Sequence, residues 1–129
     1  MKQFFLFLIL SFFSFTATSQ MVTDVFLGET IQIENIDIEF VELVSDSRCP
    51  KEVNCIRAGE AIVLANVYEN GTFLEQRKLT FYASGISDER ENTLLANRNI
   101  NISGLNVEPY PKGLDKIRKE DYLLVLKVY

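Results

Sequence analysis

Histidine and tryptophan are absent from this chain, and cysteine occurs only twice among its 129 residues. Without histidine, Ser or Cys has no imidazole base, and neither a G-x-S-x-G elbow nor an S-x-x-K pair is present to replace one. A structural zinc site wants four Cys or His ligands, and two cysteines fall short of it. The lack of tryptophan removes the usual platform for sugar rings. Phosphate-cradling glycine motifs are missing too, and no cofactor is expected. Long runs of like charge are also lacking. Lys and Arg number 13 against 18 Asp and Glu, for a net charge of -5, with the cations scattered along the chain. That pattern leaves no electrostatic footprint for nucleic acid, and the mild acidity reads as solubility.

What is present begins with Lys2, an apolar run over Phe4–Phe15 and the small-residue stretch Thr16-Ala17-Thr18-Ser19. A charged start, an apolar centre and an Ala17-x-Ser19 end make a secretory signal peptide over residues 1–19. The run is shorter than the roughly 20 residues that span a bilayer. No cysteine follows it to carry a lipid. The chain is therefore expected to be exported, periplasmic or extracellular, as one domain over residues 20–129. It should have no membrane span once the signal is gone. Removing Lys2 with the signal shifts the net charge from -5 to -6.

In an oxidising compartment one even pair of cysteines forms a disulfide, so Cys49 is expected to join Cys55. The pair lacks the C-x-x-C spacing of a redox motif. The bridge closes Asp46-Ser47-Arg48-Cys49-Pro50-Lys51-Glu52-Val53-Asn54-Cys55-Ile56-Arg57-Ala58-Gly59, the chain's densest cluster of charges and turn formers. Strand-like runs flank this loop on both sides.

Period-two alternation marks strands at 30–34 and 36–44, with a phase slip at Phe40-Val41 that a bulge would explain. The run 61–68 is almost continuously apolar and is followed by Asn70-Gly71, a strong type I′ hairpin signal, and a second run to Tyr82. If Asn70 and Gly71 are the two central turn residues, Ile62, Leu64, Tyr68, Leu79 and Phe81 share the core face. Further strands are expected near 22–27, 93–96, 100–107 and 122–128, with a second bend at Gly104 and about two helical turns over 114–120. About seven strands, one short helical turn and no long helix make an all-β fold. A single antiparallel β-sandwich, immunoglobulin-like, is the expectation, with a small barrel as the alternative.

For function, Asp46, Ser47 and Arg48 are the one candidate binding cluster, with no catalytic residue and no metal ligand assigned. Turn chemistry is the competing account: Asp46 and Ser47 would bond nearby amides while Arg48 ties the loop to a strand carboxylate such as Glu60. The acidic stretch Asp88-Glu89-Arg90-Glu91-Asn92 lacks the ligand alternation and central glycine of a calcium loop. Asn70-Gly71-Thr72 fits a glycosylation acceptor, but the hairpin accounts for the same residues.

The pattern Asp-Ser-Arg-Cys-Pro, four residues, Cys, two residues, Ala-Gly resembles a loop motif of small secreted bacterial proteins of unknown function. Pro109-x-Pro111 and the closing Asp121-Tyr122 strand are also similar. That pattern often carries an aromatic where this chain has Arg57. The resemblance implies fold and location, and it brings no activity. The expected role is a non-catalytic exported module whose partner is a protein or a cell-envelope component. The alternatives are an extracellular protease inhibitor presenting Arg48, and a small hydrolase using two carboxylates.

Overall fold

A computed structural model of the chain describes residues 20–83 and 90–129. The expected signal peptide, residues 1–19, lies outside the described residues, as do Asp88 and Glu89. Eight strands form: β1 (Met21–Phe26), β2 (Thr30–Ile33), β3 (Ile36–Asp46), β4 (Glu60–Glu69), β5 (Thr72–Tyr82), β6 (Thr93–Ala96), β7 (Asn101–Glu108) and β8 (Leu123–Val128). They make two antiparallel four-stranded sheets, ordered β1-β8-β7-β6 and β2-β3-β4-β5. Every strand pair except β1–β8 joins neighbours in sequence, so the sandwich is a meander folded onto itself. An immunoglobulin domain interleaves its strands instead.

Ile36, Ile38 and Phe40 of β3, Leu79 of β5, Ile102 and Val107 of β7 and Leu124 and Leu126 of β8 fill the space between the sheets, each without exposed surface. The β-bulge expected after Phe40 is there: pairing with β4 shifts between Phe40 and Glu42. The bend near Gly104 is a shift in the β7–β8 register between Gly104 and Asn106. Gly104 itself faces β5, where an added Cβ would lie 2.8 Å from the Phe81 ring. Glycine at that position lets the two sheets close.

The β4–β5 hairpin turns at Asn70 (φ 51°) and Gly71 (φ 79°), as a type I′ turn requires. Tyr68 pairs with Phe73 as that turn dictates, their rings edge to face at 5.7 Å between centroids. One residue further the expectation fails. Val67 pairs with Glu75 rather than Leu74, so Leu74 is bulged out and the remaining register slips by one. Leu79 and Phe81 do face the core, but opposite Val63 and Ala61. Ala61, Val63, Ala65 and Val67 are therefore the buried face of β4, while Ile62, Leu64 and Tyr68 look outward and are half-buried. A period-two pattern reverses with a single inserted residue, and β4 was apolar enough to accept either face.

Of the two helical turns expected over residues 114–120, one short 3-10 turn forms at the end of the segment, Lys119–Asp121. The rest is an open loop, with Leu114 in solvent and Ile117 packed on the core.

Candidate functional site

Asp46 ends β3 and points inward, toward the seam between the sheets. Two residues on, Arg48 turns back so that its guanidinium grips the Asp46 carboxylate with both prongs, Nε to Oδ1 at 2.8 Å and Nη2 to Oδ2 at 2.9 Å. The same fork reaches the opposite sheet: Nη1 donates to the Val107 carbonyl at 2.7 Å and Nη2 to that of Pro109 at 3.0 Å. Tyr122, leading into β8, donates its hydroxyl to Asp46 Oδ2 at 2.7 Å. One carboxylate and one guanidinium thus clamp β3 to β7 and β8. Tyr110 covers the clamp, its ring centroid 5.1 Å from the Arg48 guanidinium carbon and its hydroxyl donating to the Cys49 carbonyl at 2.6 Å.

The clamp is nearly dry, Arg48 being only 4 % exposed. Burial by itself would raise the Asp46 carboxyl. The hydrogen bonds from Arg48 and Tyr122, with the guanidinium charge, outweigh it and hold the group below the ordinary carboxylate value. Tyr122 moves the other way. Burial, and the carboxylate that accepts its proton, push the phenol up to about 12. Such a carboxylate stays ionised near neutral pH with both oxygens occupied, and such a phenol stays protonated. Neither is poised to move a proton. Buried charge is tolerated where it is paired and hydrogen-bonded, and here every guanidinium nitrogen and both carboxylate oxygens have a partner.

Ser47 lies apart from the clamp. Its hydroxyl donates to the Glu60 carbonyl and accepts from the Glu60 amide, both at 3.1 Å. The backbone zips further at Ser47–Glu60 and Cys49–Ala58, with N···O distances of 2.8 and 2.7 Å. Arg48 is not tied to the Glu60 side chain, as turn chemistry alone had suggested. Its partner is Asp46, two residues away. Gly59 closes the neck of the loop with φ 79°, and a Cβ there would run into the Ser47 carbonyl. No side chain fits.

Above this neck Cys49 and Cys55 form the expected disulfide. The stapled loop is pinned sideways to the segment after Pro111: the Lys51 amide donates to the Pro111 carbonyl at 3.1 Å, and Gly113 donates to that of Lys51 at 3.2 Å. A cleft of about 490 Å³ opens beside the clamp. Asp46, Arg48 and Tyr122 lie at it, Leu43, Pro50 and Ile117 give it apolar walls, and Leu114, Lys116 and Lys119 also line it. Among the described residues no group of three or more His, Cys, Asp or Glu could hold a metal ion. No helix among them is long and apolar enough to cross a membrane.

Several residues that build this end were not singled out as site residues. Tyr122, at the start of the expected strand 122–128, is buried, and a buried tyrosine hydroxyl needs a partner; Asp46 is that partner. Tyr110 and the carbonyls of Val107 and Pro109 left no trace in spacing. Asn92, within the acidic stretch, is 1 % exposed. Its side-chain amide accepts from the Thr80 N–H at 3.0 Å and donates to the Thr80 carbonyl at 2.9 Å, capping the free edge of β5 as a strand would.

No family model, curated protein or solved structure matches this chain.

Proposed function

We propose that this protein is an exported, non-catalytic module that binds its partner, a protein or a cell-envelope component, through the end of the sandwich carrying the stapled loop. The observation carrying this reading is the division of labour within the loop. Asp46 and Arg48 turn their polar atoms inward and Ser47 bonds across the neck to the Glu60 backbone, so that the three fix the loop's base, while Ile56 and Arg57 stand in solvent at its far side. A loop held by a disulfide, a buried ion pair and a backbone zipper loses little freedom on binding, which favours recognition by preorganisation. The disulfide also agrees with an oxidising, extracytoplasmic location. Arg48 lies under Tyr110 and is not offered to a protease, so an inhibitor acting through that residue has no support in this geometry.

The test is a pair of assays on the purified protein. Generic ester and glycoside substrates and a protease panel should show neither turnover nor stoichiometric inhibition. Chemical cross-linking in envelope fractions should capture a partner, and Arg57→Glu should weaken capture without lowering thermal stability. Turnover that disappears on substituting one carboxylate would replace this reading with a hydrolase.

A further inference from the structure

The two most exposed large apolar side chains among the described residues are Ile56, at 104 %, and Leu114, at 92 %; no other exceeds 60 %. They lie on separate loops, 49–59 and 111–119, that the Lys51–Lys112 bridge holds side by side at one end of the sandwich. The same loops carry cations: Lys51 and Arg57 on the loop of Ile56, and Lys112, Lys116 and Lys119 on that of Leu114. None of these five makes an ion pair among the described residues, and the Lys51 ammonium lies 5.7 Å from the Tyr110 ring centroid. The carboxylates of these two connections are Glu52, Asp115, Glu120 and Asp121, and the last two are paired with Arg118, in a chain whose net charge is -5. The fold thus sets a basic surface with two protruding apolar tips on one end of an acidic protein.

We infer that this end docks on an anionic membrane surface, with Ile56 and Leu114 entering the headgroup–acyl boundary and the five cations facing lipid phosphates. This rests on the binding role proposed above and names its partner. Protruding apolar side chains on loops that also carry Lys and Arg match the layered chemistry of such an interface: negative outside, apolar just beneath. Repulsion by the acidic remainder of the protein would orient the molecule with this end toward the lipid. The staple and the clamp keep both loops ordered before contact, so docking needs no folding step. Two side chains and a handful of charges give reversible, salt-sensitive attachment.

The absence of tryptophan supplies the test. Single reporters Ile56→Trp and Leu114→Trp are placed in the full chain, with Leu74→Trp beside the Asn70-Gly71 hairpin at the opposite end. Each is titrated with vesicles of phosphatidylcholine mixed with phosphatidylglycerol, and of phosphatidylcholine alone. The two loop reporters should shift to the blue on the anionic vesicles only, and raising salt to about 1 M should reverse the shift. The hairpin reporter should not move, which separates loop docking from any binding by residues 1–19. Lys116→Glu with Lys119→Glu should weaken partitioning at least about fivefold per cation. Loop reporters that stay unchanged on anionic vesicles, or a hairpin reporter that shifts equally, would overturn the inference. A shift with soluble polyglutamate but not with vesicles would also overturn it, while leaving the binding role of the loop standing.

Discussion

At the hairpin end of the sandwich the chain reverses at Asn70-Gly71 through bonds between close sequence neighbours. At the loop end Arg48 and Asp46 are held by residues 59 to 76 positions away. The first kind of contact announces itself locally, since two residues with positive φ imply Asn-Gly. The second kind forms only when Val107, Pro109 and Tyr122 arrive from the other sheet. Local chemistry nevertheless set only the turn and the first two pairs of the hairpin, because the bulge at Leu74 reversed the faces beyond it. The loop end shows the converse. Its residues look like ordinary turn chemistry in isolation, yet the clamp alone makes three bonds that join the two halves of the sandwich.

If the clamp joins the sheets, breaking it should be the most damaging change. Arg48→Ala leaves the Asp46 carboxylate buried and unpaired, and should cost about 3 to 5 kcal/mol, as removal of one partner of a buried pair usually does. Urea unfolding measures it directly. Arg48→Ala and Asp46→Ala together should cost less than the two single changes added. An additive result would mean the pair is not coupled.

At the hairpin, the register can be read by truncation. Leu79→Ala should cost about 2 to 5 kcal/mol, and Leu64→Ala clearly less, because Leu64 looks outward and is only half-buried. Equal losses at the two positions in thermal unfolding would restore the unbulged register.

The staple comes next in size. Cys49→Ser with Cys55→Ser releases a loop of six-residue separation, which should cost about 2 to 2.5 kcal/mol on the chain-entropy account. Because the clamp and the Ser47–Glu60 zipper remain, the fold should survive. Loss of all cooperative unfolding would show that the disulfide, rather than the clamp, holds this end.

The last change has a pH signature. Tyr122→Phe removes one hydrogen bond to a charged group, a loss of about 1.5 to 3 kcal/mol at neutral pH. The folded phenol titrates above its ordinary value of 10.0, at about 12. Its contribution is thus complete below pH 10 and lost as pH rises toward 12, so over that window wild type and Tyr122→Phe should converge in stability. The Asp46 carboxyl is shifted down instead, so its contribution holds above its ordinary value of 3.8 and is lost as acid protonates the folded group. Parallel wild-type and Tyr122→Phe stability curves up to pH 12 would remove the phenol from the clamp.

Much of the architecture was legible because strands write themselves in period two. The alternations at 30–34 and 36–44, the slips at Phe40 and Gly104, the Asn-Gly turn and the pairing of two lone cysteines follow from residue chemistry within a few positions. The segment 114–120 misled because Leu114 and Ile117 have helical spacing, yet spacing confers a helix only when the apolar side finds a core, and Leu114 finds none. The cations were read as scattered, which holds along the chain and fails in space.

The sequence by itself therefore determined an all-β chain with a cross-linked loop, since backbone alternation, turn residues and cysteine count act locally. Only tertiary structure decided which face of β4 is buried, that Asp46 and Arg48 are a clamp between sheets, and that Lys51, Arg57, Lys112, Lys116 and Lys119 share one end. The physical reason is common to all three. Face, ion-pair partner and surface potential depend on what lies across a gap of a few ångströms, and that neighbour is set by the folding of distant segments against each other.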